Sequence, residues 1–211
     1  MPIQDHLAYA HRRKDQEPNK LLARRIVESE DAAQQLQELI DFFDTKPHKE
    51  FQKDCALTLA WIAEIQPELV APQATYLIGK LKDPINRVIW GSMIALSGIA
   101  HLVQPQLYKA LPSILDAMDE GTVVTRDHGY RILMILYQNK AYREDVFLLV
   151  LEQLLQAPSN QLGQYTEKWM AVMEKNHVPQ VIAVLEERRP EISDPHHLRR
   201  LTKNLKKLYK L

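Results

Sequence analysis

The sequence predicts an all-α fold, arranged as a superhelical stack (an α-solenoid) of antiparallel helix pairs, roughly ten helices in all. Three observations predict it. Apolar residues recur at helical spacing along almost the whole chain after about residue 20. Only 6 of the 211 residues are glycine, which leaves few positions for tight hairpin turns. An apolar pattern also recurs at a step of 37 residues, from Ile62 and Ala63 to Ile99 and Ala100, then Leu136 and Tyr137, then Met173 and Glu174. A two-helix unit of this kind has more apolar surface than it can bury alone, so units must stack. The competing expectation is a compact bundle of helices without repetition.

The elements follow in order. "NKLLARRIVESEDAAQQLQELIDFF" places Leu22, Ile26, Leu36, Leu39, Ile40 and Phe43 at helix-compatible intervals, with a break expected near Ser29. Pro47 suits the first turn of the next helix, which runs through Phe51 to Ile65. Pro67 marks a turn or a restart, and "QATYLIGKL" carries a helix to Asp83, where Pro84 limits it. "VIWGSMIALSGIAHLV", Val88 to Val103, contains no Lys, Arg, Asp or Glu. At 16 residues it is shorter than the roughly 18 to 20 a bilayer-crossing helix needs. An interior helix covered by its own partner and by neighbours on both sides explains it better. Gly91, Ala95 and Gly98 on that helix would let another helix come close. The second helices of the units are "YLIGKLKD", "LPSILDAMDE" and "VFLLVLEQLLQAP".

"IALSGIA", Ile94 to Ala100, and "LPSILDAMD", Leu111 to Asp119, resemble the two helices of HEAT-like repeat proteins, relatives of the armadillo repeats. The resemblance is best over residues 44–157. It implies a single solenoid domain over 1–211, with 1–43 as an N-terminal cap and 158–211 as a degenerate repeat followed by a basic helix. It also implies an Asp after a second helix paired with an Arg at the start of the next. Asp83 and Arg87 match that arrangement, and Asp119 or Glu120 with Arg126 match it more loosely. The family implies a binding style and no particular substrate.

Charge narrows the function. Lys plus Arg and Asp plus Glu both total 27, so a general nucleic-acid footprint is absent. The distribution is uneven: residues 1–30 carry net +1, residues 31–187 net −7, and residues 188–211 net +6. Cys55 is the only cysteine, which rules out an intrachain disulfide and a cysteine-based zinc site. It reads as a small buried side chain. The polar N-terminus lacks the apolar core of a secretory signal, and the expected compartment is cytoplasmic.

No phosphate loop, H-E-x-x-H or G-x-S-x-G motif occurs. Asp194, His196 and His197 are the one grouping with metal-ligand character; helix capping by Ser193 or Asp194 is the simpler reading. Neither a metal, a cofactor nor a catalytic residue is expected. Trp61, Trp90 and Trp169 are expected in the core, and His101 is expected half-buried at a helix end. HEAT-like DNA glycosylases place an acidic residue one turn after a tryptophan; here those positions hold Ile65, Ile94 and Met173. The expected function is therefore a non-catalytic protein-binding module or adaptor, recognising another protein through second helices between Ala71 and Ala157. The alternative is a nucleic-acid or DNA-repair protein of the glycosylase kind. One further surface stands out. Leu198, Leu201, Leu205 and Leu208 share one helical face, while Arg199, Arg200, Lys203, Lys206, Lys207 and Lys210 surround it. That helix is either a cap sealing the last unit or a contact for an anionic partner.

Overall fold

Two prolines and one serine-centred break cut the first part of the chain into the helices it forms. The structure, a computed structural model, describes residues 2–45 and 47–211, and every regular element among them is helical. After a 3-10 turn at Ile3–His6 come α1 (Glu17–Val27) and α2 (Ala32–Asp44), separated at Ser29 as the acidic run suggests. Then follow α3 (Lys49–Ile65), the single turn α4 (Pro67–Val70), and α5 (Ala74–Gly79). Pro47 stands before the His48 cap, outside the helix rather than in its first turn. Pro67 starts α4, and Pro72 occupies a 3-10 turn between α4 and α5; a ring without an N–H cannot continue the α-helical ladder. The stretch from Pro67 to Lys82, where a second helix is expected, is thereby broken into short pieces.

The charge-free segment makes up most of α6 (Asn86–Ile99), which begins before it with Asn86 and Arg87, and ends in a turn. Among the described residues, no helix is long and apolar enough to cross a membrane. Next come α7 (Gln104–Lys109), a short helix between the charge-free segment and the second helix "LPSILDAMDE", and α8 (Leu111–Asp119). Then follow α9 (Val123–Gln138), α10 (Arg143–Gln156), α11 (Ser159–Met170), α12 (Val178–Arg188) and α13 (Pro195–Leu208). Two compact units result, Met1–Ile132 and Leu133–Leu211.

In the first unit, α3 and α6 form the most closely packed helix pair. A Cβ at Gly91 would lie 2.6 Å from the Ala56 carbonyl carbon, and one at Gly98 would lie 3.1 Å from the Ala63 oxygen. Both contacts advance in the same direction, so the two helices run parallel with an offset of 35 residues. The glycines let backbone meet backbone, as their spacing predicts. Asn19 on α1 reaches Asp54 on α3 across the same interval of 35 residues. The 37-residue step is thus only an approximation to the packing. The helices α3, α6, α9 and α11 end at Ile65, Ile99, Gln138 and Met170, at intervals of 34, 39 and 32. Met173 and Glu174, the last step of the recurrence, fall beyond α11 rather than on it.

The core of the first unit includes Leu22, Ile26, Leu39, Phe43, Leu59, Ile62, Val88, Leu96 and Ile114. Leu7 and Ala8, from a stretch too short to show periodicity, are buried with them. Cys55 is also buried, and burial pushes its thiol pKa up, away from reactivity. Only Trp169 of the three tryptophans is fully buried. Trp61 and Trp90 are half-buried, with Lys20 over the first ring and Arg87 beside the second. In the second unit the core gathers Leu136, Tyr137, Phe147, Leu154, Tyr165, Val181, Leu185 and Leu205.

Candidate functional site

Helix α13 is built as an amphipathic helix with a real cap. The Asp194 carboxylate accepts the backbone N–H of His196 at 2.8 Å and of His197 at 3.0 Å, and these bonds hold its pKa down. Ligand atoms of Asp194, His196 and His197 lie within 4.8 Å of one another. Leu201, Leu205 and Leu208 are buried and Leu198 half-buried, so the predicted stripe faces protein. Asn204 lies in the same stripe, buried, its amide donating to the Gly163 carbonyl at 2.8 Å. The six predicted cations separate here. Arg199, Lys203, Lys206, Lys207 and Lys210 are exposed, the first with its Nε on the Pro195 carbonyl. Arg200 instead grips Glu167 of α11 with two bonds, at 3.0 and 2.6 Å. That pair depresses the Glu167 pKa and raises that of Arg200.

The surface around α5 and α8 is more acidic than a count of charges suggests. Lys80 is turned onto Asp44 at 3.0 Å and lies over the rings of Phe43 and Tyr76. Asp83, Asp116 and Glu120 line an open cleft of about 430 Å³, with Lys82 the one cation among its lining residues. In the second unit Arg143 binds Glu174 and the carbonyls of Tyr137 and Gln138. Lys82, Lys109 and Lys140 are exposed. The expected Asp83–Arg87 pair does not form. Asp83 accepts the Ile85 N–H at 2.9 Å, while Arg87 stands beside Trp90 and lines a different cleft. Arg126 donates to the Asp119 backbone carbonyl at 3.2 Å. Pro84, between Asp83 and Ile85, helps fix the turn that separates the two side chains.

That different cleft, of about 440 Å³, is the surface that sequence reasoning missed. It is lined by Tyr9, Arg12, Lys14, Lys53, Asp54 and Arg87 among others. Its wall is the N-terminal turn, pinned to the helices behind it. The Ala8 N–H donates to Asn19 Oδ1 at 2.9 Å, and the Tyr9 N–H to Asp54 Oδ2 at 2.7 Å. The Tyr9 ring stacks on His48 and meets Phe51 edge-on. Asp54 is buried, which pushes its pKa up against the pull of those hydrogen bonds. The run "HRRK" signalled the cations, but the anchoring residues lie up to 45 positions away.

A second arrangement had no local signal. His177 is buried with its ring stacked on Phe147. Its Nδ1 lies 2.8 Å from the Tyr137 hydroxyl, which accepts the Glu174 N–H at the same distance. The other ring nitrogen, Nε2, faces Glu144, 3.3 Å away. His101, by contrast, is exposed rather than half-buried.

No family model matches the chain, and no curated protein matches it. It is similar to the crystal structure of an engineered protein, with 16% identity and a TM-score of 0.51 over 99% of this chain and 96% of that one. At that identity the likeness concerns fold alone, and it agrees with an all-helical architecture.

Proposed function

We propose that this chain is a non-catalytic protein-binding module on a HEAT-like helical-repeat scaffold. The observation that carries the reading is the parallel packing of α3 on α6 at a fixed offset of 35 residues, with Gly91 and Gly98 at the contact. Such packing is how a repeat presents successive second helices on one pre-ordered side, where contacts add unit by unit. In the first unit that side holds α5 and α8. Its three acids, Asp83, Asp116 and Glu120, outnumber the one cation Lys82, which suits a partner segment carrying Lys or Arg and disfavours a phosphate backbone. The nucleic-acid alternative draws on the exposed cations of α13.

A photo-reactive residue placed at Ser113 on α8, and separately at Gln37 on α2, tests the module in its source cell. A discrete protein adduct from position 113 and none from position 37 is expected. Equal labelling from both positions, or adducts with nucleic acid alone, would overturn the reading.

A further inference from the structure

We propose that the N-terminal cleft, walled by the Tyr9–Lys14 turn and by Lys53 and Arg87, binds a phosphate monoester dianion. Three observations carry this: the turn is rigidly built, its backbone holds a cation where glycine is the easy choice, and the charges leave a surplus of two.

The turn ends as a helix terminus does. Arg12 N–H donates to the Tyr9 carbonyl at 3.0 Å and Arg13 N–H to the Ala8 carbonyl at 3.0 Å. That pair of bonds is the Schellman pattern, whose penultimate position adopts the left-handed conformation and is usually glycine. Here it is Arg12, with φ of 56°, the one non-glycine residue with positive φ among the described residues. A β-carbon in that region is disfavoured relative to glycine. Fold alone gives no reason to place a long cation there, and the side chain lines the cleft. Strain of this kind concentrates at ligand sites.

The charges are tied down unequally. Five cations line the cleft: Arg12, Arg13, Lys14, Lys53 and Arg87. Lys53 pairs with Glu50 at 2.7 Å and Arg13 with Asp15 at 2.9 Å. Asp54 offsets one more, its two oxygens already taken by Tyr9 and Asn19. Two positive charges then remain uncompensated. A monoester dianion matches them, whereas a carboxylate or a phosphodiester neutralises only one. Guanidinium forks at Arg12 and Arg87 supply the paired donors that phosphate oxygens accept. The group is carried either by a phosphorylated side chain of the partner, which rests on the binding-module reading, or by a small phosphorylated metabolite, which does not.

The test titrates the full chain, labelled for amide NMR, with four probes: inorganic phosphate, a phosphoserine peptide, the same peptide unphosphorylated, and adenosine monophosphate. Arg12→Gly and Arg87→Gln are the variants; the glycine relieves the backbone, so Arg12→Gly folds at least as well as the parent. Saturable shifts at Tyr9–Lys14 and Arg87, with affinity reduced tenfold or more in each variant, are expected. If the phosphopeptide binds at least tenfold more tightly than the nucleotide, the source is a partner protein. Equal binding upholds the phosphate site while detaching it from the binding-module reading. Absence of shifts with every phosphate probe, indifference to both substitutions, or equal binding of the unphosphorylated peptide would overturn the proposal.

Discussion

Arg188 shows how much one side chain can hold in the second unit. It is 9% exposed, and its guanidinium reaches the carbonyls of Leu154, Leu155 and Ala157, with Nε on Glu191 at 2.7 Å. Those carbonyls belong to the end of α10, where a helix leaves its last acceptors without intrahelical partners. The fork of α12 thus closes the terminus of α10 from the side. Arg188→Ala removes all of these donors at once and leaves buried oxygens unpaired. We expect a loss of about 3 kcal/mol, read as a fall in the urea midpoint. Arg188→Lys should recover less than half of it, because an ammonium cannot span three carbonyls in the same plane. A variant within about 0.5 kcal/mol of the parent would mean that water satisfies the α10 terminus equally well. Nothing near Arg188 in the sequence distinguishes it from its exposed neighbour Arg189.

Among the elements, the contact of α3 with α6 makes the sharpest demand. Alanine is the better helix former by about 1 kcal/mol, so intrinsic propensity favours replacing both Gly91 and Gly79. Packing separates them. A Cβ at Gly91 meets the Ala56 backbone at 2.6 Å, whereas one at Gly79 meets nothing within 4 Å. Gly79→Ala should stabilise by about 0.5 to 1 kcal/mol, and Gly91→Ala should destabilise by about 1 to 3 kcal/mol despite its propensity gain. Thermal midpoints moving in opposite directions would bear this out; a rise in both would show that α6 can slide without loss. The helix α13 responds to acid instead. Its Arg200 lowers the Glu167 pKa, and a depressed carboxylate contributes stability above its unfolded pKa that disappears as pH falls through the folded one. Both side chains are about one-third exposed, so the contribution is at most about 1 kcal/mol. Glu167→Gln should lower the urea midpoint at pH 7 and leave it unchanged at pH 3.

These elements also show what a sequence makes legible. Helices announce themselves because a 3.6-residue period repeats many times within α3, α6 and α13, and the small residues at 91 and 98 mark a close approach. The break at Ser29, the capping Asp194 and the leucine stripe of α13 are local patterns, and local patterns survive the absence of coordinates. Register is another matter: the 37-residue step matched residue types, while the packing offset of 35 depends on which side chains interlock. The Asp83–Arg87 pair is what the resemblance to HEAT-like repeats implies, and the turn through Pro84 sends the two side chains to different clefts. The N-terminal cleft joins Tyr9 to Asp54, and the buried histidine joins Tyr137 to His177. Such long-range pairs leave no period to find.

At the scale of the whole molecule, neutrality conceals a chain whose cations are mostly engaged or confined to its ends. Lys80, Arg143, Arg188 and Arg200 hold carboxylates or carbonyls of their own units. The exposed remainder on α13 and just past its end is Arg199, Lys203, Lys206, Lys207 and Lys210, a basic rim. Each phosphate contact releases a counterion, so affinity falls with log salt in proportion to the contacts made. If all five exposed cations engage duplex DNA, the slope is about −4.5, and a rise from about 50 to 200 mM salt weakens binding by roughly 500-fold. We therefore expect no sequence preference and only weak duplex binding at the lower salt, removed by neutralising those five residues with Arg200 left intact. Keeping Arg200 matters, because its loss would free Glu167 and loosen α13, confusing a binding effect with an unfolding one. Fluorescence anisotropy with labelled duplex and single-stranded probes on parent and variant decides it. Tight binding that survives both 200 mM salt and the neutralised helix would place nucleic acid elsewhere on the chain and turn the protein-module reading into the weaker one.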